Sequence, residues 1–290
     1  MMIRLLLILS YIFICVGLRV SPRKYFQLNA PFFNEALGMF SKLDMDARIP
    51  EQWRLAQCID GDDVYPDSYP VFVKPEWGQN SHGIERADTI SALEAIRARR
   101  QPSPMKYLLQ SAAPGQREFE LFMIPGHTPT GAAVLSITET LNSSGERYPI
   151  NGIYNQATTY RDLTCTLSSD DKQRVVSQLR AMGNYRIARY GVRADSLSAL
   201  VEGRFHVIEI NLFLPMPLVL LAENIRVSRK IGFALQCMWQ LAKITKTIPA
   251  DQPHKAVFFR KLKIARSLKS DTKTRKYNDR IQEVDLSMDQ

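Results

Sequence analysis

The run Tyr69 to Lys74 (YPVFVK) reads as an apolar strand that ends on a lysine, and the residues after it, Pro75 to Gly83, are polar and carry Gly78, Ser81 and Gly83. An ammonium followed by a loop of glycines and a serine offers a polyanion one charge, one hydroxyl and several backbone N–H groups, which is what a triphosphate requires. The spacing is neither the Gly-Lys-Ser/Thr phosphate loop nor the dinucleotide G-x-G-x-x-G, and an ordinary surface loop is the alternative reading. A second group, Glu209 and Asn211, lies in FHVIEIN, the clearest strand of the chain. Residues two apart on a strand share a face, so both oxygens should point one way while Ile208 and Ile210 point into the core. A carboxylate beside an amide oxygen suits a hard cation such as Mg²⁺ whose shell is completed by phosphate oxygens. The alternative is a strand face on which both side chains meet water, although Glu and Asn are poor strand formers and stand here in an apolar run. A third contributor is Tyr190-Gly191-Val192-Arg193-Ala194-Asp195. As the antiparallel neighbour of FHVIEIN it would lay Arg193 and Asp195 over Glu209 and Asn211, Arg193 neutralising phosphoryl charge and Asp195 completing the cation site. A surface ion pair is the other reading of Arg193.

Elements that could position these groups alternate along the chain. Thr89 to Arg99 reads as a helix capped by Thr89 or Ser91. Tyr107 to Gln110, Glu118 to Ile124 and Ala132 to Thr138 read as strands, Asp170 to Tyr190 as a long helix running into another strand, and Val219 to Ile244 as largely apolar helix. The architecture is α+β. With 45% hydrophobic and 23% charged residues in 290, the chain has the composition of a globular protein and not of a disordered or collagen-like one. Cys15, Cys58, Cys165 and Cys237 form no C-x-x-C pair, so neither a zinc site nor a disulfide framework is indicated and a reducing compartment fits. Cys165 lacks a partner motif, His206 is expected on the strand face opposite Glu209, and His82 stands in the polar loop.

Both ends are basic, within a net charge of +9. Ile3 to Leu18 is apolar apart from Arg4 and Ser10, and Arg19, Arg23 and Lys24 follow at once. A helix of that length reaches roughly 24 Å, short of the roughly 30 Å hydrocarbon core. It reads as an uncleaved N-terminal membrane anchor with the chain on the cytoplasmic face, or as a buried N-terminal helix. From Lys255 to Arg280, Phe258, Phe259, Leu262, Ala265 and Leu268 interleave with lysines and arginines, a pattern for a helix lying on anionic lipid or for a solvated basic tail. Nucleic acid ranks last among partners, since no nucleic-acid motif accompanies the charge.

In order and separation, YPVFVKPEWGQNSHGI, LLQSAAPGQREFELFMI, and RADS followed by FHVIEIN resemble the ATP-grasp superfamily, in its D-alanine–D-alanine ligase-like branch, over roughly Ser41 to Asn211. The resemblance implies an ATP-grasp fold in which two α+β subdomains clamp ATP, with Mg²⁺ bridging its phosphates. It also implies that a carboxylate is activated as an acyl phosphate for attack by an amine. It assigns Lys42 and Lys74 to the nucleotide, Ser81 and Gly83 to the closing phosphate loop, Gln110 to adenine, Glu118 to ribose, Arg193 to catalysis, and Asp195, Glu209 and Asn211 to the metal. Together with the two ends as read above, it divides the chain into a membrane-anchor segment 1–20, a reduced N-terminal region 21–68, a small subdomain 69–115, a large subdomain 116–235 and a basic helical region 236–290. Two features depart from the pattern: symmetrical extension of the strand pairing puts Gly191, not Asp195, opposite Glu209, and Asn211 is followed by the stiff apolar run Leu212 to Pro217. Both point to an alternative, a non-catalytic nucleotide-binding or interaction module at the membrane. A third reading is a basic membrane-peripheral scaffold without nucleotide.

Overall fold

The structure, a computed structural model, describes residues 2–76, 81, 83–100, 106–128, 131–249, 252 and 257. In chain order its elements are α1 (Met2–Gly17), α2 (Lys42–Asp46), β1 (Gln57–Ile59), β2 (Val71–Pro75), β3 (Glu85–Ala87), α3 (Ile90–Arg99), β4 (Tyr107–Ser111) and β5 (Arg117–Pro125). They continue with β6 (Ala132–Asn142), β7 (Thr158–Asp162), α4 (Ser169–Ala181), β8 (Ala188–Ala194), α5 (Leu197–Val201), β9 (His206–Asn211) and α6 (Val227–Lys246). The strands form two antiparallel sheets, β1-β4-β2-β3 and β7-β6-β5-β8-β9, which makes the α+β class expected from the sequence.

Thr89 caps α3 by accepting the Ala92 N–H at 3.2 Å, a bond worth about 1 kcal/mol. The helix lays Leu93 and Ile96 on Val71, Val73 and Leu109 of the four-stranded sheet. Beside β1 the buried Asp60 holds both Arg97 and Arg100 at 2.6 Å, which ties the end of this helix to the sheet edge. In the larger sheet, alternation sends Phe119, Leu121, Tyr190 and Val192 to one face, where they meet Val175, Val176 and Leu179 of α4. Ser168 and Asp171 form a reciprocal capping box at the start of α4. The helix expected to run to Tyr190 stops at Ala181 because Gly183 takes φ +148°, and a Cβ there would lie 2.7 Å from the Tyr185 ring. The expected helix Val219 to Ile244 is likewise interrupted: a single 3₁₀ turn covers Leu218–Leu221 and α6 begins at Val227.

The opposite face of the large sheet grades from polar to apolar. Its apolar end, Phe122, Ile124 and Val134, is covered by Cys237, Met238 and Leu241 of α6 and by Tyr11 and Cys15 of α1. The first helix is therefore packed against α6 and the sheet by one face. Tyr11 and Cys15 are buried and the Tyr11 hydroxyl is hydrogen-bonded to Thr245 Oγ1 at 3.0 Å. Among the described residues no single helix is long and apolar enough to cross a membrane. The chain after α1 is pinned by the buried Asn29, whose Nδ2 donates to the carbonyls of Ile187 (2.7 Å) and Leu212 (3.2 Å) and whose Oδ1 accepts from the Arg186 N–H. The basic helix expected over 255–280 lies outside the described residues, Val257 apart.

Candidate active site between the two sheets

The polar end of the same sheet face is organised by one irregularity. Val192 pairs with Val207 and Gly191 with Glu209, so Ile208 is an extra residue on β9, a β-bulge. Val207 before it points into the core, whereas Glu209 and Asn211 after it turn to the cleft. Ile208 does not enter the core as expected: it lines the cleft, and its carbonyl accepts from Gln110 Nε2 at 3.2 Å and, more weakly, from Lys74 Nζ at 3.5 Å. The same shift puts His206 opposite Arg193, on the sheet face that Glu209 shares, which corrects the expectation of opposite faces. Cross-strand registry then sets two polar rows, Thr140–Glu118–Arg193 and Thr138–Glu120–Gly191–Glu209.

That registry corrects Asp195. Arg189 stands opposite Asn211 and Gly191 opposite Glu209, while β8 ends at Ala194; Asp195 is exposed and lines no part of the cleft. Arg193 does line it, but opposite Glu118, where its Nη2 donates to the Arg147 carbonyl at 2.9 Å and its guanidinium lies 5.0 Å over the Tyr148 ring. Two residues that the sequence reading passed over occupy the centre. Arg189 pairs through Nε with Glu120 at 3.2 Å and through Nη2 with Glu209 at 3.1 Å. Both were accessible to strand alternation, since Glu120 shares a face with Glu118 and Arg189 with Arg193. Gly191 gives them room: a Cβ there would lie 3.3 Å from both Glu120 Oε1 and Glu209 Cγ. Gly191→Asp should therefore cost the ligand-free protein on the order of 2 kcal/mol, a fall of roughly 4–8 °C in melting temperature by calorimetry, because it adds a third carboxylate to a buried pair.

Across the cleft stand Lys74 on β2 and Lys42 at the start of α2, whose Nζ donates to the Pro75 carbonyl. Ser41 Oγ, which caps α2, also donates to the buried Glu76 at 2.8 Å and so holds the helix start against the end of β2. Burial foremost, and then the charge of Lys42, push the Lys74 ammonium down to about 7 against the pull of Glu209 and Asp46. Lys42 is lowered too, by burial. On the facing strands burial raises Glu118 to about 7 and Glu120 to about 8 despite the nearby arginines. Glu118 accepts from Asn151 Nδ2 at 3.0 Å, and Ser81 Oγ donates to the Asn151 carbonyl, so the polar loop reaches the large sheet. Gly83 follows it at φ +74°, whereas Gly78 and His82 lie outside the described residues. The cleft has Phe72 and Gln110 on one wall, Glu118 and Arg189 on the other, and Ile153 and Leu218 at an apolar side.

No protein-family model and no curated protein matches the chain. Solved structures similar to it include the VanG D-Ala:D-Ser ligase from Enterococcus faecalis, at 14% identity over 72% of this chain and 62% of that one, with a TM-score of 0.48. A D-alanine–D-alanine ligase from Bacillus anthracis complexed with ATP is similar at 16% identity over 70% of this chain and 67% of that one, with a TM-score of 0.41. An L-amino acid ligase from Bacillus licheniformis is similar at 18% identity over 74% of this chain and 50% of that one, with a TM-score of 0.46. These similar structures are ATP-grasp ligases. The chain spans less than two thirds of the length of the D-Ala:D-Ser ligase.

Hard oxygen donors in the cleft include Glu118, Glu120, Glu209 and Asn211, and the buried Thr140 Oγ1 opposite Glu118 has no hydrogen-bond partner. Among the described residues no group of three His, Cys, Asp or Glu side chains is placed to enclose a metal ion. A divalent cation would therefore share its shell between these few protein oxygens and the oxygens of a ligand, which is the usual habit of Mg²⁺ at phosphates.

Proposed function

We propose that the chain binds MgATP between its two sheets and uses it to activate a small-molecule carboxylate for attack by an amine. One observation carries this reading: Lys42, Lys74, Arg189 and Arg193 converge on a single cleft that also presents Glu209 and Asn211 on one strand face. Buried cations without a matching number of free carboxylates are relieved by a polyanion. Lys42 and Lys74 would meet the phosphates, with Ser81 and Gly83 in the segment that closes over them. Gln110 and Glu118 would meet the base and ribose. Glu209 and Asn211, with Glu120 in the place left open by Gly191, would hold the divalent cation, which supplies charge neutralisation at the phosphates when bound.

In the reaction a substrate carboxylate oxygen attacks the terminal phosphorus and ADP departs with the electrons of the broken P–O bond, leaving an acyl phosphate. The amine then attacks the carbonyl, phosphate leaves, and the amine nitrogen gives up a proton. Chemistry of this kind relies on positioning and charge neutralisation more than on a protein nucleophile. Arg189, beside Glu209, is better placed than Arg193 to neutralise the transferred group, and Arg193 lies one row further along the sheet beside Glu118. ATP use fits a chain on the cytoplasmic side of a membrane.

Gly191 opposite Glu209 favours a second reading, a nucleotide-binding module without ligase turnover. Two measurements on the full-length chain separate them. Saturating MgATP should raise the melting temperature by several degrees under either reading, since a ligand of the folded state stabilises it by mass action. ADP release with pairs of amino acids as carboxylate and amine donors should occur only with a ligase. A MgATP shift without ADP release across the panel selects the binding module, and no shift at all rejects both.

A further inference from the structure

We infer that the outer faces of α1 and α6 form one docking surface for an anionic lipid bilayer, on which the chain lies without crossing it. The inference is independent of nucleotide binding. The inner faces of these two helices are buried together in the cluster of Tyr11, Cys15, Cys237 and Met238, so their orientation on the sheet is set. Their outer faces are apolar and open. On α1, Ile8, Phe13 and Val16 are exposed, Phe13 to 73%, in a row that continues through Leu5, Leu9 and Ile12. On α6 the exposed residues Val227, Ile231, Leu235 and Trp239 recur every fourth position, a single stripe along the helix. Most of the molecule's exposed large apolar side chains among the described residues belong to these two packed helices, where a soluble surface would scatter them.

Charge selects the occupant. There is no acidic residue before Glu35 and none between Glu223 and Asp251, the stretches that contain both helices. The same stretches carry Arg4, Arg19 and Arg23 around α1, and Arg226, Lys243 and Lys246 around α6, all exposed. An apolar stripe flanked by cations, with an exposed indole at Trp239, matches the interface of an anionic leaflet, where helices lie in the plane and basic side chains reach the headgroups. A second copy of this chain would bring like-charged rims together, and the basic sequence beyond Val257 has the wrong sign to cover them. The 16 residues of α1 fall short of the roughly 20 that a spanning helix needs, and the packing of Tyr11 and Cys15 favours a helix that lies on the surface.

The test is flotation of the purified full-length chain with phosphatidylcholine vesicles that contain or lack phosphatidylglycerol. Binding should be at least tenfold stronger to the vesicles with phosphatidylglycerol. Phe13→Asp combined with Leu235→Asp should reduce it at least tenfold while the melting temperature stays unchanged, because both sites are exposed. Lys243→Glu with Lys246→Glu should remove most of the preference for the anionic lipid. Independently of any fold-perturbing change, brominated acyl chains should quench wild-type fluorescence, and Trp239→Phe should remove that quenching. Equal or absent binding to both vesicle types overturns the proposal. So does wild-type binding by the Phe13→Asp, Leu235→Asp protein, or a dimer in solution that these two substitutions dissolve.

Discussion

Lys74→Met should raise the melting temperature of the ligand-free chain and erase its response to MgATP. Lys74 is 5% exposed, shares its surroundings with Lys42, and has only a long contact to a carbonyl. Its fall from the ordinary 10.5 to about 7 corresponds to a folding penalty of at most about 5 kcal/mol. That ceiling is already net of the attraction to Glu209 and Asp46, and relaxation around the buried charge lowers it, so a gain of about 2 kcal/mol on substitution by methionine, or roughly 4–8 °C, is expected near pH 7. The sign of the pH dependence follows from a lysine that is depressed in the folded state: its stability is intact above 10.5 and is lost as the pH falls through about 7. The advantage of the variant should thus be full at and below about pH 7 and fade towards about pH 10.5 in melts across that range. Loss of a charge-assisted phosphate contact worth about 1.5–3 kcal/mol should weaken nucleotide binding by roughly one to two orders of magnitude in titration calorimetry. A residue that lowers stability when empty and raises affinity when filled belongs to a binding site; if Lys74→Met only destabilises, Lys74 is structural.

Arg189→Met should act in the opposite direction. Arg189, its side chain 14% exposed, is the cation between Glu120 and Glu209, and its removal leaves two carboxyl groups facing each other across Gly191. Breaking a buried pair by deleting one partner costs about 3–5 kcal/mol in general. Here Glu120 can take a proton, so we expect about 2–4 kcal/mol, roughly 5–12 °C, near pH 8. A carboxyl raised in the folded state contributes stability below its ordinary 4.5 and loses it as the pH rises through about 8, so the defect should shrink towards about pH 5. Glu120→Gln in the Arg189→Met background should restore more than half of the loss. Independent, additive effects of the two substitutions in a double-mutant cycle would show that the pair is not coupled.

Locally encoded features were legible in the sequence. The Thr89 cap, the strand ending at Lys74, the antiparallel neighbours around FHVIEIN and the shared face of Glu209 and Asn211 all follow from side-chain periodicity and capping chemistry, which operate over a few residues. What lies between elements was not legible. Whether Asp195 or Gly191 faces Glu209 depends on strand register, and one extra residue at Ile208 exchanges the faces of everything before it. That register, with Gly191 opposite both Glu120 and Glu209 and Arg189 opposite Asn211, leaves Asp195 outside the cleft and brings Arg189 to both carboxylates, while the bulge turns His206 to their face. The first helix shows the same division. Its sequence determines an apolar helix of 16 residues, but the same composition suits a bilayer or a protein core. Only the tertiary structure, by burying Tyr11 and Cys15 against α6 and leaving Phe13 and Val16 outside, decided that one face of this helix belongs to the core and the other stays open, because hydrophobic burial is non-directional and takes its partner from whatever the fold brings near.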